Sequence, residues 1–259
     1  MIQNEIILSL LPLIIINGII LISFIIFAFI YPKRPNDPEI LKRMHRSFVG
    51  VFLREYWYWL TTPLTNIFRA VGLTPNYLTG ISLIIAILSG YFFYKGNFAL
   101  AGWILIICGT MDLLDGRLAR LTNMETTEGA FFDSCADRYS DGIVILGIAL
   151  HFKDNLFMLF VSIMTLIGSE LISYAKARGE AIGITTNSGI MQRPERVVLI
   201  SIVSVLHPFL MLILLGYNIT TEYPMIVVMV LMSIMTNFTA ISRIVIIFNK
   251  IRKTNQIPS

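Results

Sequence analysis

Charged residues are scarce in this chain, and the shortage excludes an ordinary soluble domain. They make up 14% of the 259 residues, whereas hydrophobic residues reach 56% and the mean hydropathy is +0.75. Soluble domains carry about 25% charged residues. Cysteine is nearly missing too, since only Cys108 and Cys135 occur, which excludes a disulfide framework and a thiolate zinc site. No low-complexity stretch or clear repeat occurs, so the composition indicates one membrane domain.

Seven apolar runs are long enough to cross a bilayer as helices, which takes about 20 residues each. The first run is too long and too evenly apolar for a cleaved signal peptide, so we expect an extra anchor there. The other six predict a helical core, and the basic and aromatic interval before them predicts a helix lying in the membrane interface. The runs cover 6–30, 77–95, 98–119, 130–151, 155–175, 197–217 and 224–248.

The predicted fold class is an all-α polytopic membrane protein. It has a six-transmembrane-helix core, one extra N-terminal transmembrane helix and an interfacial amphipathic helix. The predicted domains are an N-terminal transmembrane anchor over 1–31, a cytoplasmic-side interfacial segment over 32–75, the six-helix core over 76–250 and a cytoplasmic tail over 251–259.

The basic residues predict the orientation, because cytoplasmic loops carry the excess of Lys and Arg. If the N-terminus lies outside, only Lys95 and Lys153 of the 20 Lys and Arg fall in outer loops. This integral multi-pass arrangement places the acidic cluster described below at the cytoplasmic face. The net charge of +4 then favours anionic membrane lipids or phosphorylated substrates, rather than nucleic acid, as partners.

Four aspartates interrupt the apolar chain at two adjacent predicted helices. Asp112 and Asp115 are three residues apart, and Asp133 and Asp137 are four apart, so each pair shares a helical face. A carboxylate at mid-membrane costs about 2.5–3.5 kcal/mol on insertion scales, so four of them require a cationic partner. Clustered carboxylates favour Mg²⁺ or Mn²⁺, and four can hold two ions. Such two-metal sites promote in-line displacement at phosphorus.

Small residues accompany the aspartates and indicate room for a bulky ligand. Gly116 and Ala119 lie beside Asp115 on the helix, and Gly129 begins the following helix, so a nucleotide can approach the backbone there. Arg120 is placed to bind a phosphate through a bidentate fork. The structural alternative is that the aspartates form salt bridges with nearby arginines. That alternative accounts for two acids but not for five, counting Asp141, nor for the flanking glycines.

The stretch DLLDGRLARLTNMETTEGAFFDSCAD meets every fixed position of the pattern D-x2-D-G-x2-A-R-x8-G-x3-D-x3-D. It resembles the signature of the CDP-alcohol phosphatidyltransferase family, and the resemblance covers about residues 60–250. The resemblance implies metal-dependent transfer of a phosphatidyl group from a CDP-linked lipid, of the CDP-diacylglycerol type, to an alcohol. CMP is released, and the product enters phospholipid biosynthesis. The resemblance also implies a homodimer.

The resemblance assigns roles to the motif residues. Asp112, Asp115 and Asp133 would bind two metal ions, either Mg²⁺ or Mn²⁺. Asp137 would contact one ion and act as the general base towards the acceptor hydroxyl. The residues that would hold the CDP portion are Gly116, Ala119, Arg120 and Gly129, and we add Asn76 and Thr79 as polar residues at the start of the second predicted span.

Basic residues on the same face predict the acceptor. Arg243 lies inside the last span, where a lone arginine is expensive unless it faces a polar cavity, so we expect it to join other cations around an anion. SYAKAR followed by RPER resembles the acceptor region of phosphatidylinositol phosphate synthases, including archaeal ones, which implies an inositol phosphate acceptor. Glycerol 3-phosphate is the alternative acceptor, and ordinary positive-inside topology is the alternative for the four cations outside the span. The implied pocket contains Ser173, Lys176, Arg178, Arg193, Arg196 and Arg243.

Two other classes of protein also place carboxylates in membranes. A prenyltransferase uses aspartates with magnesium, but it would show two aspartate-rich motifs far apart and would leave the glycines unexplained. A cation channel or carrier would place aspartates deep in several spans. Here they gather on two adjacent helices at one predicted membrane face, which favours the enzyme.

Overall fold

The computed structural model describes residues 18–33, 51–186, 189–215 and 222–254, together with Ile15. These residues form eight helices and one 3-10 turn, Tyr31–Lys33, with no strand among them. The all-helical fold class is therefore confirmed. The helices are α1 (Gly18–Ile30), α2 (Val51–Val71), α3 (Pro75–Tyr94), α4 (Phe98–Thr122), α5 (Thr127–His151), α6 (Leu156–Ala181), α7 (Arg193–Leu215) and α8 (Tyr223–Thr254).

Five of these helices, α3, α4, α6, α7 and α8, are long and apolar enough to cross a membrane. Helix α5 has 25 residues, which gives it about 37 Å of length, but its acidic and basic residues make it less apolar. The predicted first span, 6–30, is described only in part, and its described helix α1 is shorter than a span. Its role as an anchor and the interfacial placement of the 32–75 segment stay predictions.

The chain divides into two compact units, the first of which includes α1 and the described residues 51–66. Phe27 is fully buried in this unit among aromatic rings, including those of Tyr31, Phe52 and Tyr56. The Tyr56 hydroxyl also lies 2.7 Å from the hydroxyl of Ser23. Packing of aromatic side chains therefore holds the described part of this unit together.

The second unit contains helices α3 to α8, and contacts along α3 show how its first three helices run. Thr79 contacts Asp115 near the end of α4, whereas Ser89 donates to the Ala101 carbonyl near its start, so α3 and α4 are antiparallel. Helix α5 runs parallel to α3. The result is an up-down-up arrangement that brings the end of α4 and the start of α5 together at one end of the bundle, named here the aspartate end.

Glycines let pairs of helices approach to backbone contact. A Cβ on Gly147 of α5 would overlap the carbonyl oxygen of Gly90 in α3, and a Cβ on Gly90 would lie 2.8 Å from the Ile143 carbonyl oxygen. A Cβ on Gly168 of α6 would lie 2.6 Å from Thr236 Oγ1 in α8. Side chains cannot be added at such contacts without moving a helix.

We expect Gly147→Ala to destabilise the protein, because the added methyl group forces α5 away from α3. Overpacking of this kind costs about 1–3 kcal/mol, so the midpoint of thermal unfolding in detergent should fall by roughly 3–10 °C. The matched control is Gly80→Ala, on α3 with open space around its Cβ position. It should unfold at or slightly above the wild-type temperature. Equal midpoints for both variants would contradict the proposed backbone contact.

Candidate metal and substrate site

A tight connection places the two aspartate motifs side by side. Helix α4 ends at Thr122, the backbone of the next residue, Asn123, is left-handed (φ 53°), and α5 begins at Thr127. Thr126 caps α5, because its hydroxyl accepts a hydrogen bond of 3.0 Å from the Gly129 amide. The short turn therefore directs the last turns of α4 and the first turns of α5 towards the same volume.

Three of the four predicted metal ligands meet in that volume. Asp112, Asp133 and Asp137 each offer a carboxylate oxygen within 4.8 Å of the other two. The Oδ1 atom of Asp137 is buried and accepts no hydrogen bond. A buried carboxylate oxygen without a donor is costly unless a cation binds it. The residues present therefore fit a divalent cation with oxygen ligands.

Asp115 lies apart from that group. Its side chain is only 4% exposed, and Oδ2 accepts a 2.6 Å hydrogen bond from the hydroxyl of Thr79 in α3. The contact links two residues that the sequence assigned to different roles, Asp115 to the metal and Thr79 to the nucleotide. The metal-binding role of Asp115 stays a prediction.

The remaining predicted nucleotide residues gather at the same end of the bundle. A Cβ on Gly129 would lie 3.1 Å from Asn76 Oδ1, so the start of α5 lies against the start of α3. A Cβ on Gly116 would lie 3.3 Å from Arg120 Nη1, because the arginine folds back along α4. Ala119 is half-buried one turn beyond Asp115. The six residues thus surround the junction of α3, α4 and α5, although their binding role is untested.

Two predicted acceptor residues reach the site from α7 and meet an unassigned acid. Asp141 Oδ2 accepts a 2.7 Å hydrogen bond from Arg196 Nη2, and Asp141 Oδ1 lies 3.3 Å from Arg193 Nε. Sequence reasoning gave Asp141 no role. Its spacing was the available signal, because Asp141 lies one helical turn after Asp137 and so continues the acidic face of α5.

Arg193 also contacts the candidate metal ligands. Its Nη1 atom lies 2.5 Å from Asp112 Oδ2 and 3.0 Å from Asp137 Oδ1, although only the first contact has hydrogen-bond geometry. The metal and acceptor residues are therefore in direct contact. The arginine that pairs with these aspartates comes from α7, whereas the salt-bridge alternative had sought partners within α4 and α5.

The other acceptor candidates make different contacts from Arg193 and Arg196. Arg243 is only 3% exposed and donates a 2.9 Å hydrogen bond to the Ile172 carbonyl. Lys176 and Arg178 are exposed on α6, and Lys176 Nζ lies 3.8 Å from Glu180. Ser173 is half-buried. The sequence predicted a single cluster of cations. In the described contacts, Arg193 and Arg196 are brought together by a shared acidic partner, Asp141.

The fold and site define a class, a helical membrane protein with a carboxylate cluster suited to a divalent cation. Residues 72–234 match the family model for CDP-alcohol phosphatidyltransferase. The chain belongs to the CDP-alcohol phosphatidyltransferase family, which confirms the resemblance drawn from the aspartate motif. Membership also removes the prenyltransferase and the channel or carrier as alternatives.

Two curated relatives align with about half of this chain. The chain is 43% identical over 136 residues to archaetidylinositol phosphate synthase of Pyrococcus horikoshii, which covers 52% of this chain and 71% of that protein. It is 33% identical over 149 residues to phosphatidylinositol phosphate synthase of Mycobacterium tuberculosis, which covers 54% of this chain and 67% of the relative.

Solved structures of phosphatidylinositol phosphate synthase from Mycobacterium tuberculosis share the fold. The structure with CDP-DAG bound aligns with a TM-score of 0.63 and 27% identity, covering 73% of this chain and 93% of that one. The complex with manganese and citrate aligns with a TM-score of 0.64 and 26% identity, covering 73% and 88%.

Proposed function

We propose that this enzyme transfers the phosphatidyl group of CDP-diacylglycerol to inositol phosphate and releases CMP. The acceptor hydroxyl oxygen forms a bond to the phosphorus that carries the lipid, and the bond from that phosphorus to CMP breaks. The observation that carries the proposal is the direct contact between the carboxylate group and Arg193, which Asp141 joins to Arg196. A metal site and a phosphate-binding pair of arginines side by side are what this transfer requires.

In this proposal a divalent cation is bound by Asp112, Asp133 and Asp137. Asp115 completes a site for two ions, either Mg²⁺ or Mn²⁺. When bound, the ions stabilise the attacking and leaving oxygens and neutralise the phosphate charge. The family relative crystallised with manganese supports a divalent cation. The clustering of three carboxylates within 4.8 Å of one another also supports it.

Asp137 is also the proposed general base. A base must lie within hydrogen-bond reach of the hydroxyl whose proton it takes. Asp137 belongs to the carboxylate cluster and lies 3.0 Å from Arg193 Nη1, so a phosphate held by the arginine brings its alcohol close to this acid. The proton then moves from the acceptor hydroxyl to an Asp137 oxygen.

The donor nucleotide is assigned to the junction of α3, α4 and α5. Gly116 and Gly129 carry no side chain, and each lies beside a polar group that can bind the nucleotide, Arg120 at Gly116 and the Asn76 amide at Gly129. Arg120 provides a positive charge near the diphosphate. Thr79 would act through Asp115, whose carboxylate it holds, and Ala119 would leave room as the glycines do.

The acceptor phosphate is assigned to Arg193 and Arg196, since guanidinium groups bind phosphate bidentately. Arg243 supports the pocket from α8, and its charge lies close enough to Arg196 to interact with it. The inositol phosphate assignment follows the named activities of the Pyrococcus and Mycobacterium relatives. Ser173, Lys176 and Arg178 complete the proposed set from α6.

The proposed orientation places the aspartate end in the cytoplasm and the N-terminus outside. Its support is the distribution of Lys and Arg, of which only Lys95 and Lys153 belong to outer loops. A homodimer remains part of the proposal on the strength of the family resemblance. Gly90 and Gly168 pack against helices of the same chain.

Purified protein in vesicles containing CDP-diacylglycerol should release CMP only when inositol phosphate and Mg²⁺ or Mn²⁺ are both present. The reason is that the aspartate cluster needs a cation to accept the donor phosphates. Chromatography of CMP and mass spectrometry of the lipid product measure the reaction. Glycerol 3-phosphate, which carries the same phosphate on a smaller alcohol, is the comparison acceptor.

Faster turnover with glycerol 3-phosphate than with inositol phosphate would contradict the assignment of inositol phosphate as the acceptor. It would not contradict the transfer of a phosphatidyl group from the CDP-linked lipid. CMP release that persists after complete chelation of divalent ions would overturn the metal-dependent chemistry itself. Unphosphorylated inositol provides the control for the arginine assignment, because it lacks the anion that Arg193 and Arg196 are proposed to bind.

Asp137→Asn should reduce kcat by about 10²–10⁴-fold, the usual contribution of a positioned general base. CDP-diacylglycerol should still bind, because the nucleotide residues and the other three proposed metal ligands remain unchanged, and equilibrium binding of the labelled donor measures this. The matched control is Asp154→Asn, the same chemical change at an exposed residue between α5 and α6. A near-normal rate for the Asp137 variant would refute its role as the base.

Arg243→Ala should raise the KM for inositol phosphate by about tenfold or more, the effect of losing a hydrogen bond to a charged group. The KM for CDP-diacylglycerol should stay unchanged. Steady-state kinetics with each substrate varied in turn separates the two constants. Arg252→Ala, which removes an exposed cation from the same helix, is the control. A correctly folded Arg243 variant with an unchanged KM for both substrates would remove this residue from the acceptor pocket.

A further inference from the structure

The guanidinium group of Arg193 contacts two sets of acids, one through Nη1 and the other through Nε. Its Nη1 atom contacts Asp112 at 2.5 Å and Asp137 at 3.0 Å, both members of the candidate metal group. Its Nε atom lies 3.3 Å from Asp141, which is outside that group and is also bound by Arg196. One side chain thus connects the metal carboxylates to the arginine pair.

The Nη1 contacts involve the same carboxyl groups that a divalent cation would use. Asp137 Oδ1 is a buried oxygen without a hydrogen-bond donor, and Arg193 is the cation 3.0 Å from it. A guanidinium and a divalent ion repel each other, and in a partly buried site this repulsion is screened much less than in water. Arg193 at its observed position therefore opposes metal binding.

The Nε contact offers Arg193 a second position. Rotation of the outer part of the side chain can release Nη1 from Asp112 and Asp137 while Nε stays at Asp141. The guanidinium would then lie beside Arg196, whose Nη2 atom is 2.7 Å from the same carboxylate. Two guanidinium groups held by one acid form a receptor for a phosphate dianion.

We propose that Arg193 competes with divalent cation for Asp112 and Asp137, and that Asp141 retains the displaced guanidinium next to Arg196 as part of the acceptor phosphate site. The inference rests on the metal and acceptor assignments of the proposed function and adds a coupling between them. Metal binding releases the arginine that the acceptor needs, and a bound phosphate draws that arginine away from the metal ligands. By thermodynamic reciprocity, each ligand strengthens the binding of the other. Asp141 is the positioning residue of this exchange.

Arg196 provides a matched control, because it has the same charge and comes from the same helix. Its contacts are to Asp141, through Nη2, and to the Met191 carbonyl, 3.5 Å from Nη1. Removing Arg196 therefore removes one positive charge near the site without freeing either Asp112 or Asp137. The difference between the two arginine variants separates direct competition from general electrostatics.

The experiment measures Mn²⁺ binding by electron paramagnetic resonance. It uses the full chain in nanodiscs of zwitterionic lipid, without donor lipid or acceptor, and takes Asp112→Asn as the background for non-specific binding. Arg193→Gln should bind Mn²⁺ about tenfold more tightly than wild type, because a competing cation is removed from the ligands. Arg196→Gln should change the affinity by less than about threefold. Met versions of both variants repeat the contrast with an apolar side chain of similar length, should a Gln version fail to fold.

Equal tightening in both variants, or no tightening in Arg193→Gln, would overturn the competition. A structure of the wild-type protein with Mn²⁺ tests it without any substitution. Arg193 Nη1 should have left Asp112 while Nε remains at Asp141, and an unchanged Nη1 position would overturn the inference. Failure of the proposed function looks different, since wild type would then bind no more Mn²⁺ than Asp112→Asn.

Discussion

The ion-pair network around Arg193 is the interaction on which the site depends. Carboxylates in a membrane-embedded bundle are tolerated only with a cationic partner, and here an arginine from α7 supplies the positive charge to acids of α4 and α5. The same contacts determine where three helices meet. Asp141 then extends the network to Arg196, so the carboxylates and the arginines form one charged volume inside the bundle.

Close helix packing supplies the rigidity that such a volume needs. Gly90 and Gly147 bring α3 and α5 into backbone contact, and Gly168 does the same for α6 against α8. At the aspartate end, the left-handed Asn123 and the Thr126 cap join α4 to α5 through a short turn. Phosphoryl transfer depends on positioning and charge neutralisation rather than on covalent help from the protein. A chain with few polar groups can therefore catalyse phosphoryl transfer if the packing of its helices holds those groups in fixed positions.

The sequence predicted that aspartates of adjacent helices would lie together, but it did not predict their contact with an arginine of α7. Helical periodicity and the short interval between the motifs were enough to bring Asp112, Asp133 and Asp137 together, because those constraints act over one or two turns. The contact of Asp112 with Arg193 joins residues 81 positions apart, and no local pattern encodes it. The contact of Asp115 with Thr79, 36 positions away, was not predicted for the same reason. Five of the seven predicted spans followed from apolar length, whereas the charges of α5 reduced its apolar character and the first span is described only in part.

The contact between Gly90 and Gly147 has a consequence for the route of a two-chained lipid. Helices that touch backbone to backbone leave no lateral gap for acyl chains, so the seam between α3 and α5 is shut at that level. A donor whose acyl chains stay in the bilayer must therefore reach the aspartates by another route. Its headgroup must enter closer to the aspartate end or between a different pair of helices. The lack of a side chain at Gly90 and Gly147 thus restricts where the lipid donor can enter.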